Sequence, residues 1–147
     1  MSIYLGVNID KIKKYTEILQ SHAIQVSLFI DPEETQIRAA KNIGAQLIEL
    51  HTGAYAEASV DKNQPSMYHQ ELIKLQQSAK LAHDLGLIVN AGHGLTYQNV
   101  YAIANIPEIH ELNIGHCIVA QALFDGFEKA VSRMKKIMLE ARKAHSS

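Results

Sequence analysis

Leu87-Ile-Val-Asn-Ala-Gly-His-Gly-Leu-Thr96 is the stretch of sequence that decides the fold. Its apolar start predicts a buried strand, and Gly92 and Gly94 predict a turn whose backbone a ligand can approach closely. A strand that leads through such a turn into a helix N-terminus offers backbone N–H groups to an anion. His93 lies where it could transfer a proton. The alternative is a tight turn between a strand and a helix, with a histidine on its surface.

Similar strands alternate with helices along the chain. The alternation is typical of an α/β fold with a parallel sheet and right-handed crossovers. No linker or low-complexity segment interrupts the pattern, so residues 1–147 are expected to form a single α/β domain. Apolar runs predict five strands, at residues 3–9, 24–30, 45–50, 87–90 and 111–114.

Short polar residues and glycines predict where the helices begin and end. Gly44 and Gly86 are expected to end helices, and Gly126 to separate the last two. Residues 54–65 are predicted to be a polar loop, and residues 118–123 a short helical turn. The side chains predicted to cap helix N-termini are those of Asp10, Asp31, Ser66 and Thr96.

The composition argues against several classes of function. The chain has 147 residues, 47% hydrophobic and 20% charged, with a net charge of −1, as in ordinary globular proteins. This charge gives no support for binding nucleic acid or an acidic membrane. The apolar runs are too short to span a bilayer, and the first residues do not resemble a signal peptide. Because Cys117 is the single cysteine, we expect a reducing compartment and a cytoplasmic protein.

Polar residues and glycines collect where the predicted strands end. In parallel α/β folds, the carboxyl ends of the strands meet at one edge of the sheet, and binding sites lie there. We therefore expect one site formed by several loops. Its candidate residues are Asn8, Asp10, Glu49, His51, His93, Gly94, Gly115 and His116.

Glu49 is the most informative of these residues because it interrupts the apolar run Leu47-Ile-Glu-Leu50. Burying a carboxylate is costly unless it has a partner or a function, and carboxylates are seldom found in apolar strands. A functional role is the first interpretation. The alternative is that Glu49 pairs with a neighbouring donor and only holds the strand ends together.

The histidines suit acid–base chemistry and phosphate binding better than metal binding. His93 and His116 each adjoin a glycine at a predicted helix start, where an imidazole and backbone N–H groups can act together. The spacing of His51, His93 and His116 matches no local metal motif, so we predict no metal. A zinc site built by these three histidines from separate loops is the alternative.

Five motifs follow one another along the chain, namely Leu5-Gly-Val-Asn-Ile-Asp10, Gln25-Val-Ser-Leu-Phe-Ile-Asp31, Ile48-Glu-Leu-His-Thr-Gly53, Val89-Asn-Ala-Gly-His-Gly-Leu-Thr-Tyr97 and His110-Glu-Leu-Asn-Ile-Gly-His116. In this order they resemble the motifs of the pyridoxine 5′-phosphate synthase family. Leu5-Gly-Val-Asn-Ile-Asp10 is similar to that family's first strand. The resemblance implies a TIM-type (βα)₈ barrel that assembles as a homo-oligomer and uses no cofactor. It also implies condensation of 3-amino-2-oxopropyl phosphate with 1-deoxy-D-xylulose 5-phosphate, which gives pyridoxine 5′-phosphate, inorganic phosphate and water in vitamin B6 biosynthesis.

The same resemblance implies roles for the candidate residues. His93 would be the proton donor, and Glu49 would stabilise the transition state. Asp10 is a further substrate-binding candidate, and Asp10-Lys-Ile12 fits either side of the junction described next. The residues that would hold the amino ketone phosphate are Asn8, Gly94, Gly115 and His116.

The chain departs from the family after the first strand. It continues almost directly into a segment that resembles the family's fourth helix. The second, third and fourth strands are absent, and with them a histidine, arginines, a glutamate and a threonine of the family's site. Lys11 stands where the family has a histidine. The pattern resembles a deletion that respects the strand–helix unit.

Five strands cannot close an eight-stranded barrel by themselves. The sheet could stay open in a flavodoxin-like order, with helices on both faces. Alternatively, all helices lie on one face as in a partial barrel, and the other face is completed by oligomerisation. Candidate residues for that barrel lining are Val26, Leu28, Leu47 and Val89.

Three functions follow from this pattern. The chain could be a shortened synthase, a half-barrel that binds phosphate without turnover, or an inert folding fragment. Each missing acid or base typically costs about 10²–10⁴ in rate, so we expect little or no synthase activity from the isolated chain. Its expected partners are phosphorylated small molecules, inorganic phosphate and further copies of itself.

Overall fold

The computed structural model describes residues 8–61 and 65–143, which form a parallel four-stranded sheet with helices packed on it. The strands lie side by side in chain order, so each crossover leads to the next strand in the same direction. This order is that of a barrel wall, not the reversed order of a flavodoxin-like sheet. The described strands do not close into a barrel. They are β1 (Ser27–Ile30), β2 (Leu47–His51), β3 (Ile88–Gly92) and β4 (Ile109–Asn113).

Seven helices belong to the described part of the chain. Arg142 near the end of the last one donates to the carbonyl oxygens of Ile106, Pro107 and Ile109, and so fixes the segment that leads into β4. No helix within the described residues is long and apolar enough to cross a membrane. The helices are α1 (Ile9–Ser21), α2 (Glu34–Ile43), α3 (Gly53–Val60), α4 (Pro65–Asp84), α5 (Val100–Ala104), α6 (His116–Asp125) and α7 (Phe127–Lys143).

The two faces of the sheet differ in burial. Leu28, Ile48 and Val89 are aligned across three strands and are buried in the core beneath the helices. Residues on the opposite surface, here called the open face, are mostly half-buried or exposed. This matches the arrangement with helices on one face. The open face carries Phe29, Leu47, Glu49, His51, Ile88, Asn90, Glu111 and Asn113.

The four proposed lining residues are divided between the two faces. Leu47 lies on the open face, as a lining residue should. Leu28 and Val89 point the other way, into the helix-covered core. Val26 precedes β1 and is half-buried. Side chains alternate between the two faces along a strand. Leu28 and Val89 are in register with Ile48, the residue after Leu47, so they face the opposite way from Leu47.

The predicted first strand, residues 3–9, lies mostly outside the described residues. Its last residue, Ile9, is instead the first residue of α1, and Asn8 holds the N-cap position. Asp10 therefore lies within the first turn and does not cap the helix. A carboxylate there still interacts favourably with the helix dipole.

Of the other predicted caps, those at Asp31 and Ser66 are displaced. The cap position of α2 is Glu33, two residues after Asp31, and the Glu33 side chain makes no cap hydrogen bond. The helix α4 begins at Pro65, which places Ser66 inside its first turn, and proline suits that position. Thr96 does make cap hydrogen bonds, since its Oγ1 accepts from the backbone N–H of Gln98 at 3.3 Å and its carbonyl oxygen from that of Val100 at 3.0 Å. The helix α5 itself begins after Asn99, whose Oδ1 accepts a hydrogen bond from the backbone N–H of Thr96 at 2.7 Å.

The segment predicted to be a polar loop at residues 54–65 is largely helical, because α3 covers Gly53–Val60. Its alanines favour a helix, and its one large side chain, Tyr55, is only 1% exposed. The Tyr55 hydroxyl donates to the carbonyl oxygen of Asn99 at 2.7 Å. A contact between such distant residues is invisible to local periodicity.

Two further elements are longer or later than predicted. The strand β3 continues to Gly92, because Gly92 pairs with His51 of β2 and with Asn113 of β4. The short turn predicted at residues 118–123 belongs to a full helix, α6. Gly44, Gly86 and Gly126 adopt positive φ angles of 89°, 76° and 81° at the helix ends where glycine was predicted.

Candidate functional site

The turn after β3 holds His93 in an unusual backbone conformation. His93 has a φ of +83°, which a residue with a Cβ adopts at a cost of order 1–3 kcal/mol. The buried Thr52 hydroxyl lies 2.7 Å from the Gly92 carbonyl oxygen and 2.6 Å from the His93 carbonyl oxygen, and shares its hydrogen between them. The backbone N–H of Thr52 also donates to Gly92 at 2.9 Å. These bonds fix the turn that exposes the His93 imidazole.

Gly94 continues the turn and must be a glycine for two reasons. Its φ is +75°, in the left-handed region. A Cβ at this position would also lie 2.7 Å from the Cβ of Ala56 in α3. The loop after β3 therefore rests directly on α3, at the edge of the sheet where the strands end.

A cleft of about 640 Å³ opens between the loop after β3 and the loop after β4. The helix α6 begins at this cleft with His116, and its first N–H groups lack intrahelical partners, as at any helix start. A Cβ at Gly115 would meet no described atom within 4 Å. Both loops can thus offer backbone donors to an anion. The lining residues are His93, Gly94, Leu95, Thr96, Tyr97, Gln98, Asn113, Ile114, Gly115, His116, Cys117, Ala120, Gln121 and Phe124.

Glu49 lies beside this cleft on the open face. Its Oε2 accepts a hydrogen bond of 2.7 Å from Nδ2 of Asn113, which lines the cleft. Burial raises the pKa of the Glu49 carboxyl above its ordinary value, and the Glu111 carboxylate raises it further. The hydrogen bond from Asn113 and the nearby His93 oppose this rise. A carboxyl with a raised pKa can exchange a proton more readily near neutral pH.

His51 forms an aromatic cluster with its neighbours at the ends of β1 and β3. The ring centroids of His51 and His93 are 4.7 Å apart, and the Phe29 ring meets His51 edge-on at 5.1 Å. Burial lowers the pKa of His51, and the adjacent His93 lowers it further. The Asp31 carboxylate, 3.5 Å from His51 Nδ1, opposes this effect. His51 is therefore held toward its neutral form.

The structure brings most of the predicted site residues together. His93, Gly94, Gly115 and His116 line one cleft, and Glu49 is joined to it through Asn113. Asn8 and Asp10 are exposed at the start of α1 and are not among the residues that line the cleft.

Two site residues were not among the predicted ones. Asn113 and Asp31 both lie at the C-terminal ends of strands, which was the available signal. Asp31 was instead interpreted as a helix cap. In the part of the chain that the structure describes, no group of three or more His, Cys, Asp or Glu side chains could hold a metal ion.

Comparison with known proteins shows the family of the chain. Residues 4–140 match the family described as pyridoxal phosphate biosynthesis protein PdxJ. The chain is 56% identical over 142 residues to a protein named pyridoxine 5′-phosphate synthase from Aliivibrio fischeri (strain ATCC 700601 / ES114). The match covers 94% of this chain and 57% of that relative, so the chain spans a little over half the relative's length. The chain belongs to the PdxJ family of pyridoxal phosphate biosynthesis proteins.

Proposed function

We propose that this chain carries the phosphate-binding and proton-transferring part of a pyridoxine 5′-phosphate synthase site. The reaction is the condensation of 3-amino-2-oxopropyl phosphate with 1-deoxy-D-xylulose 5-phosphate to give pyridoxine 5′-phosphate. The observation that carries the proposal is the cleft lined by His93, Gly94, Gly115 and His116 at the carboxyl ends of β3 and β4. TIM barrels often bind phosphate in the loops after their last two strands.

Each residue has a chemical task in this proposal. The N–H groups at the start of α6, with Gly115 and His116, hold the phosphate of the amino ketone, since a helix N-terminus favours an anion. Gly94 lets the opposite loop approach the same phosphate. His93 donates a proton, and the Glu49 carboxyl stabilises the charge that develops in the transition state. Asn8 and Asp10 contribute to substrate binding from the start of α1.

The isolated chain binds phosphate in this proposal but turns over slowly or not at all. The relative named as a synthase is longer, and this chain spans 57% of it. In this chain, Glu49 is only half-buried on the open face. A closed barrel would exclude water there and strengthen electrostatic interactions. A binding module without turnover is therefore the second candidate function, and an inert folding fragment is the third.

Assembly of copies through the open face would enclose this surface. Ile88 is 41% exposed there, and Leu47 and Phe29 are half-buried, so contact between copies would remove apolar area from water. We propose a homo-oligomer on this basis. The single cysteine supports a reducing, cytoplasmic setting.

Titration with inorganic phosphate, followed by calorimetry, tests the binding part of the proposal. We expect saturable binding, weakened about tenfold or more by His116→Ala, since a hydrogen bond to a charged group is worth about 1.5–3 kcal/mol. Gly115→Val should weaken binding as well, because the added side chain enters space that no described protein atom fills. The matched control is His83→Ala, an exposed histidine at the end of α4 near Gly86, at the opposite edge of the sheet.

The two outcomes are distinct. Absence of saturable binding, or equal binding by all three variants, would refute the phosphate site. Formation of pyridoxine 5′-phosphate from both substrates at a rate typical of enzymes would show that the chain is a complete synthase and would exclude the binding-only function.

A further inference from the structure

The Glu49 carboxylate reaches across β3 instead of standing over its own strand. Glu49 belongs to β2, yet its Oε2 is bonded to Asn113 of β4, two strands away. Its Oε1 lies directly above Gly92 of β3. The side chain thus spans the sheet near the edge where the site lies.

Gly92 makes this crossing possible. A Cβ built on Gly92 would collide with Oε1 of Glu49, and it would lie 2.9 Å from the carbonyl oxygen of Asn113 and 3.1 Å from its Cβ. The two contacts with Asn113 involve its backbone and the base of its side chain, which cannot easily move aside, whereas the Glu49 carboxyl is the end of a flexible side chain. A side chain at residue 92 would therefore displace the Glu49 carboxylate from Asn113.

The surroundings of Glu49 otherwise favour its protonated form. Burial and the carboxylate of Glu111 on β4 both disfavour a negative charge on Glu49. Asn90, the register partner of Glu49, has a buried Oδ1 with no hydrogen-bond donor among the described residues, and the whole residue is only 6% exposed. The groups that favour the ionised carboxylate are Asn113 and the imidazole of His93.

We propose that Gly92 and Asn113 are positioning residues for Glu49. Gly92 leaves the space in which the carboxylate crosses β3, and Asn113 Nδ2 binds Oε2 and holds the carboxylate at the edge that carries His93. The relevance to catalysis rests on the proposed function of Glu49. The arrangement itself is measured without turnover.

Nuclear magnetic resonance of the intact chain, with ¹³C-labelled glutamate, measures the pKa of the Glu49 carboxyl, with Glu49→Gln to assign its resonance. Asn113→Leu should raise that pKa, because the hydrogen bond that favours the carboxylate is lost. Glu111→Gln should lower it, because a neighbouring negative charge is removed. Asn42→Leu, at an exposed position of α2, is the matched control and should leave it unchanged.

A second measurement tests Gly92. In the unmodified chain, the side-chain amide of Asn113 should follow the titration of Glu49, and in Gly92→Ala it should no longer do so. Asn113→Leu and Glu111→Gln both change exposed residues. They therefore test how Asn113 holds the Glu49 carboxylate even if Gly92→Ala does not fold. An unchanged Glu49 pKa in Asn113→Leu, or an Asn113 amide that still follows Glu49 in folded Gly92→Ala, would overturn the inference.

The phosphate titration separates this inference from the proposed function. If the unmodified chain does not bind phosphate but the Glu49 pKa shifts as expected in the variants, the proposed function is refuted and the positioning of Glu49 by Gly92 and Asn113 still holds. Normal phosphate binding with no shift of Glu49 in Asn113→Leu would refute the arrangement alone.

Discussion

Replacing Thr52 with valine tests whether one buried hydroxyl shapes the His93 turn. Valine has nearly the same shape as threonine, so Thr52→Val removes the hydroxyl without opening a cavity. Thr52 is 0% exposed, whereas its bond to the His93 carbonyl is only part-buried, so water can replace part of what that carbonyl loses. The Gly92 carbonyl keeps its 2.9 Å bond from the Thr52 backbone N–H, so the His93 carbonyl suffers the main loss.

The magnitude follows from two opposing terms. Leaving a buried carbonyl without its donor costs about 1–3 kcal/mol in the free energy of unfolding, and the part-buried carbonyl of His93 should stay below the upper end of this range. His93 also carries backbone strain of order 1–3 kcal/mol at a φ of +83°, and part of it is released when the turn relaxes. We therefore expect a net loss of about 1–2 kcal/mol. Because the two terms partly cancel, the backbone conformation of His93 should change more than the small loss of stability indicates.

Two assays separate these effects. Denaturant unfolding measures the stability loss, with Thr35→Val at an exposed position of α2 as the matched control. Phosphate titration measures the affinity of the cleft for phosphate, which we expect to be lower because His93 and Gly94 line the cleft. Unchanged unfolding and unchanged phosphate binding in Thr52→Val would show that the turn does not depend on this hydroxyl.

Two other predictions concern the same edge of the sheet. Gly94→Ala should destabilise the chain more than Gly44→Ala, because both glycines have positive φ but only an added Cβ at Gly94 would contact Ala56. We expect the two losses of stability to differ by about 1–3 kcal/mol in denaturant unfolding. Equal losses would contradict the clash. The folded state lowers the pKa of His51, so stability should be lost as the pH falls from about 6.5 through the lowered pKa. His51→Asn should remove the contribution of His51 to this loss, which denaturant unfolding between about pH 5 and pH 7 measures. A pH profile identical to that of the unmodified chain would contradict this second prediction.

Much of the fold could be predicted because the signals are local. The strands are short apolar runs, and the glycines at residues 44 and 86 end helices at the predicted places. The cleft residue His93 comes immediately after β3 and His116 comes three residues after β4, so the parallel order alone brings them to one edge. In each case, neighbouring residues contain the whole signal.

The remaining features depend on contacts between distant residues. The helix α3 is stabilised by the bond from Tyr55 to Asn99, 44 residues away. Asn113 meets Glu49 across 64 residues, and only the register of three strands reveals that pair.

The titration of Glu49 also reports on the open face. A half-buried carboxyl there already has a raised pKa, because nearby protein removes part of its water. Any surface that covers the open face removes more water, whether it is a second copy of this chain or the rest of a barrel. Excluding water also strengthens the opposing effects of Asn113 and His93, but it strengthens the repulsion from Glu111 as well, and burial is already the largest cause of the shift. The pKa of Glu49 should therefore rise when the open face is covered, and a value that does not change on assembly would mean that copies meet through another surface.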